Sequence, residues 1–188
     1  EFYMYKYDTY YSKDSGMYKV LNQFLKDVDT NDPELLEGLN LLRNWDFGNQ
    51  KDNTGAALAQ LTFKLTFNID KLKYDYKETM ERFKKGIKYL KKEFGRIDIP
   101  LGDMQILKRG ELELPLDGGP DVLRAIYTEM QDKRKVTLGG DCFFQIVDWD
   151  EDGNIVAESI HQFGSATLDE NSPHYADQAK LFSNMDMK

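Results

Sequence analysis

Apolar residues in the first half of the chain recur every three to four positions. In "SGMYKVLNQFLKDV" they place Met17, Leu21, Phe24, Leu25 and Val28 on one stripe, which predicts an amphipathic helix. Asp32-Pro33 then reads as an N-cap followed by proline at the first helical position, opening "PELLEGLNLLRNW" with Leu35, Leu36, Leu39 and Leu42 facing a core. A polar stretch follows, in which Asp52 to Thr54 can cap a helix over "GAALAQLTFKLTFNI". Residues 77–94 predict a further, basic amphipathic helix. Gly95 falls just past its end, where a left-handed cap belongs.

The second half changes period. "ELELPLDGGPD" reads as extended and closes in a Gly-Gly-Pro turn. "CFFQIVDW" and "NIVAESIHQF" are strand-like runs joined by "DEDG", whose Asp-Gly is a hairpin signal. Asn171 to Pro173 then predicts the cap of a last helix beginning at His174. At the other end, Tyr3, Tyr5 and Tyr7 alternate at period two, so the chain is expected to start almost inside an extended segment, as a fragment would. The prediction is an α+β fold in one region spanning 1–188: mainly helical over 1–95, strands and turns over 96–170, and a closing helix over 171–188.

Composition narrows the function classes. A chain of 188 residues with 40% hydrophobic content is globular and can bury a core. Its net charge of −8 argues against nucleic acid as a partner, because phosphate contacts need clustered Lys and Arg. The basic residues of "RFKKGIKYLKKEFGR" do cluster, but at helical spacing with apolar residues between them, as on a solvated helix face. No run approaches the roughly 20 apolar residues of a membrane span, and "EFYMYKYDTYY" lacks the apolar region of a signal peptide. The single cysteine, Cys142, excludes an internal disulfide.

Several residues could carry chemistry. "DWDEDGNIVAES" puts Asp148, Asp150, Asp152 and Gly153 at positions one, three, five and six of a calcium loop. Position twelve, which must supply a bidentate Glu, is Ser159, and Glu158 stands one place early. Both flanks are β-branched and aromatic rather than helical. A hairpin with a solvated acidic turn is the better account, so no metal ligand is assigned. Cys142 could act as a nucleophile with His161 or His174 as base, but nothing in the spacing brings them together. A small buried thiol is expected instead. No G-x-S-x-G, P-loop, CxxC or HExxH pattern occurs. Residues 161–182 gather two His, Ser165, Ser172 and several acids, the ingredients of either a hydrolase site or a polar scaffold.

Three passages decide between these. "LLRNWDFGNQKDNTGAALAQLTFKLTF", "PLGDMQILKRGELELPLDGGPDVLRAIY" and "GGDCFFQIVDWDEDGNIVAESIHQFGSATLDENSPHYADQAKLF" resemble, in order and spacing, three passages of the penicillin acylase (penicillin amidase) family. The pattern looks most like the branch of acyl-homoserine-lactone, aculeacin and cephalosporin acylases. Cys142 stands where the family usually has Ser, and Ala166-Thr167 interrupts the usual Ser-x-x-Pro spacing.

The resemblance implies an N-terminal-nucleophile hydrolase of αββα architecture, exported to the periplasm or exterior and needing no cofactor. A Ser exposed by self-cleavage at the head of the β chain attacks the acyl amide of a small-molecule substrate. All three passages correspond to the C-terminal part of that β chain. The remainder of the β chain and the α chain are then the implied partners, and this chain alone is expected to be inert. His174, Tyr175, Asp177 and Gln178 become hydrogen-bonding scaffold. Asp148 falls where cephalosporin-type acylases carry a carboxylate that orients a His near the nucleophile. The rival expectation is a non-catalytic calcium-binding or protein-interaction module.

Overall fold

A computed structural model describes residues 2–63 and 74–187. Five helices lead: α1 (Phe2–Lys6), α2 (Gly16–Asp27), α3 (Pro33–Asn44), α4 (Ala56–Thr62) and α5 (Tyr76–Phe94). Their caps follow from short polar side chains satisfying the free N–H groups of each first turn. Ser15 accepts from the Tyr18 N–H at 3.2 Å, Asp32 from Glu34 at 2.9 Å, and Asp75 from Glu78 at 2.8 Å. Asn53 caps α4, accepting from the N–H groups of Gly55 and Ala56 at 3.0 and 3.1 Å. Gly95 closes α5 at φ 79°, a conformation that costs glycine little.

The helices share one core built around Phe24, Leu39, Leu42, Leu58, Phe83, Ile87 and Leu90, all buried. α3 meets α5 at Gly38, where a Cβ would stand 2.7 Å from Ile87 Cδ1, so only glycine lets the two helices approach this closely. On the solvent side Lys91 bridges Glu34 and Glu37 at 3.1 and 2.9 Å.

The short helix α6 (Leu101–Met104) leads into β1 (Gln105–Arg109), β2 (Leu112–Pro115), β3 (Ile126–Gln131) and β4 (Arg134–Gly140). These form one sheet in the order β2-β1-β4-β3, antiparallel except for the β1–β4 pair, which is parallel. β5 (Phe143–Trp149) and β6 (Ile155–His161) form a separate antiparallel hairpin, and α7 (Ala179–Asn184) follows. A second apolar cluster fills the space between the sheets and α7: Leu107, Leu116, Ile126, Phe144, Ile160, Ala179 and Phe182.

The α+β expectation and the 150–153 hairpin are met, and four local readings are corrected. The start of the chain is α1 rather than an extended segment: the Tyr7 N–H donates to the Tyr3 carbonyl at 3.1 Å. Tyr3 and Tyr7 satisfy a helical i, i+4 spacing as well as period two, and Tyr5, which a strand would place beside them, is exposed. Leu36 lies at the margin of α3 rather than in its core stripe. The α4 helix ends at Thr62, and the rest of its predicted span, from residue 64, lies outside the described residues. The last helix begins at Ala179 instead of His174, because the backbone just before it is already engaged. The His174 carbonyl accepts from Ala166 N–H at 3.1 Å, and Gln178 N–H donates to the Phe163 carbonyl at 2.9 Å.

Candidate functional site

The second passage is tied by polar contacts to the first and, separately, to the third. From the first, the fully buried Asn49 donates its amide to the Thr9 carbonyl at 3.0 Å and accepts from Gln60 at 3.0 Å. Its carbonyl receives the Gly118 N–H of the second passage at 2.7 Å. Beside it, the Lys51 N–H donates to Asp117 Oδ1 at 2.6 Å. The Lys51 ammonium reaches the end of α7, just past the third passage, at the Ser183 carbonyl (3.2 Å) and Asn184 (3.1 Å). Gln105 donates to the carbonyls of Leu116 and Gly118, both at 2.9 Å, holding the Gly-Gly turn shut. Burial pushes the Asp117 carboxyl up, against the pull of the Lys51 N–H and the charges of Lys51 and Arg124.

The second and third passages meet at Arg109, the end of β1. Its guanidinium lies 3.9 Å from the Tyr175 ring centre and 4.7 Å from that of Phe163. It donates to the carbonyls of Ala166 at 3.0 Å, Thr167 at 3.1 Å and Tyr175 at 3.3 Å. Gly110 beside it, at φ 57°, lets the Tyr175 ring approach. Gly164 is more constrained, since a Cβ there would stand 2.2 Å from the His174 carbonyl oxygen. The Gln178 side chain accepts the His161 N–H at 2.8 Å, and His174 Nδ1 meets Asp177 at 3.1 Å. The His174-Tyr175-Asp177-Gln178 set is therefore a brace for the strand exit, each polar group directed at backbone or at a neighbour in the loop.

The family model for penicillin amidase matches the chain over residues 5–188. The chain belongs to the penicillin amidase family. Membership gives the activity class, hydrolysis of an amide C–N bond. Asn49, Lys51, Asp117 and Arg109 hold distant stretches of chain together.

The residues singled out for chemistry in this penicillin amidase chain sit apart from that brace. Asp148 is exposed toward the turn end of the β5–β6 hairpin, paired across the strands with Val156. Both histidines lie elsewhere: His161 at the opposite end of the hairpin, across from Phe143, and His174 in the following loop. Cys142 is exposed, against the expectation of a small buried thiol, because it precedes β5 at the open end of the hairpin. Its carbonyl accepts the Gln162 N–H at 2.8 Å, placing it across from Gln162. Strand pleating then turns Cys142 and His161 to opposite faces and breaks that pairing.

In the acidic turn, Asp150 acts as a turn former. Its carboxylate accepts from the N–H groups of Asp152 and Asn154 at 3.0 and 2.7 Å, and from the Asn154 amide at 2.7 Å. The Asn154 amide and N–H hold its pKa below the usual carboxylate range. Strands flank the turn on both sides, as the hairpin reading requires. Among the described residues, no group of three or more His, Cys, Asp or Glu side chains is placed to hold a metal ion, and no helix is long and apolar enough to cross a membrane.

Sequence reasoning missed the residue at the centre of the second core. Arg124 is fully buried, with its guanidinium 4.1 Å above the Phe182 ring and Nη2 donating to the Phe182 carbonyl at 2.8 Å. Asp141 lies 3.9 Å away, and Lys6 pairs with that carboxylate at 3.1 Å. Burial pushes the guanidinium pKa down, opposed by Asp141, and from its very high starting value it stays charged. The only sequence signal for it was its position in the quoted passage "DGGPDVLRAIY".

Proposed function

We propose that this chain forms the C-terminal part of the β chain of an N-terminal-nucleophile acylase, and that the intact enzyme hydrolyses the acyl amide of an acyl-homoserine lactone, a lipopeptide or a β-lactam side chain. The observation that carries the reading is the ordered set of three signature passages, the second of them tied by polar contacts to both of the others. Each contributes bracing groups: Asn49 and Lys51 from the first, Asp117 and Arg109 from the second, Tyr175 and Gln178 from the third. The β5–β6 hairpin adds support for an αββα arrangement. One face, with Phe144 and Ile160, is covered by α1 and α7, while the other leaves Phe143, Trp149 and Ile155 more than half exposed. A second sheet layer would cover that face. In this reading the enzyme works in the periplasm or outside the cell, and its nucleophilic Ser, oxyanion donors and acyl pocket come from the earlier β-chain segments and the α chain.

Within the intact enzyme Asp148 is a positioning residue. Its exposed carboxylate is free to accept the N–H of an imidazole beside the nucleophile and to fix its tautomer. The test is expression of the complete precursor, with N-terminal sequencing of its processed chains and chromatographic detection of acid released from acyl-homoserine lactones and a phenylacetyl amide. A new N-terminal Ser with acid release is expected, and none from the 188-residue chain alone. Turnover by the isolated chain, abolished in Cys142→Ala, would overturn the proposal in favour of a thiol enzyme. Asp148→Asn in the complete enzyme should lower kcat roughly 10–100-fold with an unchanged thermal midpoint. An unchanged kcat would remove Asp148 from the mechanism.

A further inference from the structure

A cleft of about 550 Å³ opens between the end of α3, the 46–54 loop and the start of α4, with the half-exposed Tyr10 along one side. That volume lies within the range of small-ligand clefts, about 300–1,000 Å³. Its floor is held in place. Trp45 is buried, its indole N–H donates to the Gly48 carbonyl at 2.8 Å, and Gly55 packs so close that a Cβ there would stand 2.7 Å from Trp45 Cδ1. Asp46 and Asn53 are fixed as well. Asp46 Oδ1 accepts from the Gly48 N–H at 2.9 Å and from Asn53 Nδ2 at 2.7 Å, while Asn53 Oδ1 accepts from the Gly55 and Ala56 N–H groups. The rest of the polar lining is uncommitted: among the described residues, the side chains of Asn44, Asp52 and Thr54 and the Tyr10 hydroxyl make no hydrogen bond or ion pair.

The lining selects a ligand chemistry. Amide and hydroxyl groups both donate and accept, so they match a ligand that carries several hydroxyls. A plain organic cation would leave the amide donors unanswered. Asp46 and Asp52 are the only charged side chains on the walls, with no Lys, Arg or His beside them, so the cleft attracts a cation and repels a carboxylate or phosphate. Tyr10 adds an aromatic surface, against which either a sugar ring or an ammonium is stabilised. We propose that this cleft binds an amino sugar of hexosamine size, with its ammonium at Asp52 and its hydroxyls on Asn44, Asn53 and Thr54.

The probe is D-glucosamine at pH 6, where its amine is protonated, titrated into the full-length protein and followed by saturation-transfer NMR. D-Glucose keeps the hydroxyls and lacks the charge, whereas cyclohexylamine keeps the charged ring and lacks the hydroxyls. Glucosamine should bind about fivefold tighter than glucose, the size of one exposed charge pair, and about tenfold tighter than cyclohexylamine. Asp52→Asn should bring glucosamine to the affinity of glucose, and Tyr10→Ala should weaken both sugars. Both side chains are exposed and unbonded, so the variants should keep the wild-type thermal midpoint. No saturation transfer to glucosamine, or an affinity unchanged in both variants, would overturn the proposal. Cyclohexylamine binding as tightly as glucosamine would show that the hydroxyls are not read, and would count equally against it.

Discussion

The Arg124 guanidinium stacks on the ring of Phe182 and donates to the carbonyl of the same residue, at 4.1 and 2.8 Å. One side chain thus grips α7 by both its apolar and its polar surface. The turn that carries Arg124 is anchored by its own N–H to the Asp8 carbonyl at 2.9 Å, so the N-terminal segment, the mixed sheet and the C-terminal helix are joined at one point.

Replacing Arg124 should therefore be severe. Arg124→Met is expected to cost about 3 kcal/mol or more in urea unfolding. It strips the half-buried Asp141 of one of its two charge partners, leaves the fully buried site without its stacking guanidinium and takes the donor from the Phe182 carbonyl. Arg124→Lys should cost nearly as much, since an ammonium cannot stack flat on the ring while reaching the carbonyl. A Lys variant of native stability would show that charge alone matters there.

Two glycines give contrasting outcomes. Gly164→Ala drives a methyl into the His174 carbonyl oxygen and the Asp177 carboxylate, at 2.2 and 2.4 Å, and should destabilise by about 1–3 kcal/mol while loosening the loop after β6. Gly153→Ala meets nothing within 4 Å, so only its φ of 81° resists, at about 1 kcal/mol. Equal thermal midpoints for the two variants would contradict this ordering.

The buried Asp117 predicts a pH signature. Its folded pKa is raised by burial, so between the unfolded value of about 3.9 and the higher folded value the native state holds the extra proton. The contribution to stability is greatest at the acid end of that window and is lost as pH rises through the folded pKa. Asp117→Asn keeps an oxygen for the Lys51 N–H and removes the titration. The wild-type stability minus that of Asp117→Asn should fall as pH is raised from 4 to 7 in urea titrations. A difference independent of pH would place Asp117 at its ordinary pKa.

Asp150→Ala should lower the thermal midpoint, as the turn loses three hydrogen bonds to its carboxylate. Millimolar calcium should leave the wild-type midpoint where it is, because that carboxylate already caps the turn. A calcium-dependent rise that Asp150→Ala abolishes would restore the calcium-loop reading.

Local chemistry made the helices legible. Asp32 and Gly95 act within one turn of their own positions, so the termini they set could be read from the chain alone, and the same is true of the Asp-Gly hairpin at 150–153. The N-terminal tyrosines were misread because a spacing of four residues belongs to both periods; the folded chain takes the helical one, with Tyr7 N–H bonded to the Tyr3 carbonyl and the Tyr7 ring set against Phe144. The start of α7 was misread because Phe163 and Ala166, distant from it until the chain folds, take up the hydrogen bonds of Gln178 and His174. The motifs identified the family, but their purpose lay in contacts across long sequence separations. Arg109 reaches residues 57 and 66 positions away, and Lys51 reaches 132 and 133. The burial of Arg124 likewise depends on which strands become neighbours. The sequence determines how each segment wants to fold, through interactions a few residues long. Burial and charge pairing are properties of neighbours that only the tertiary structure supplies.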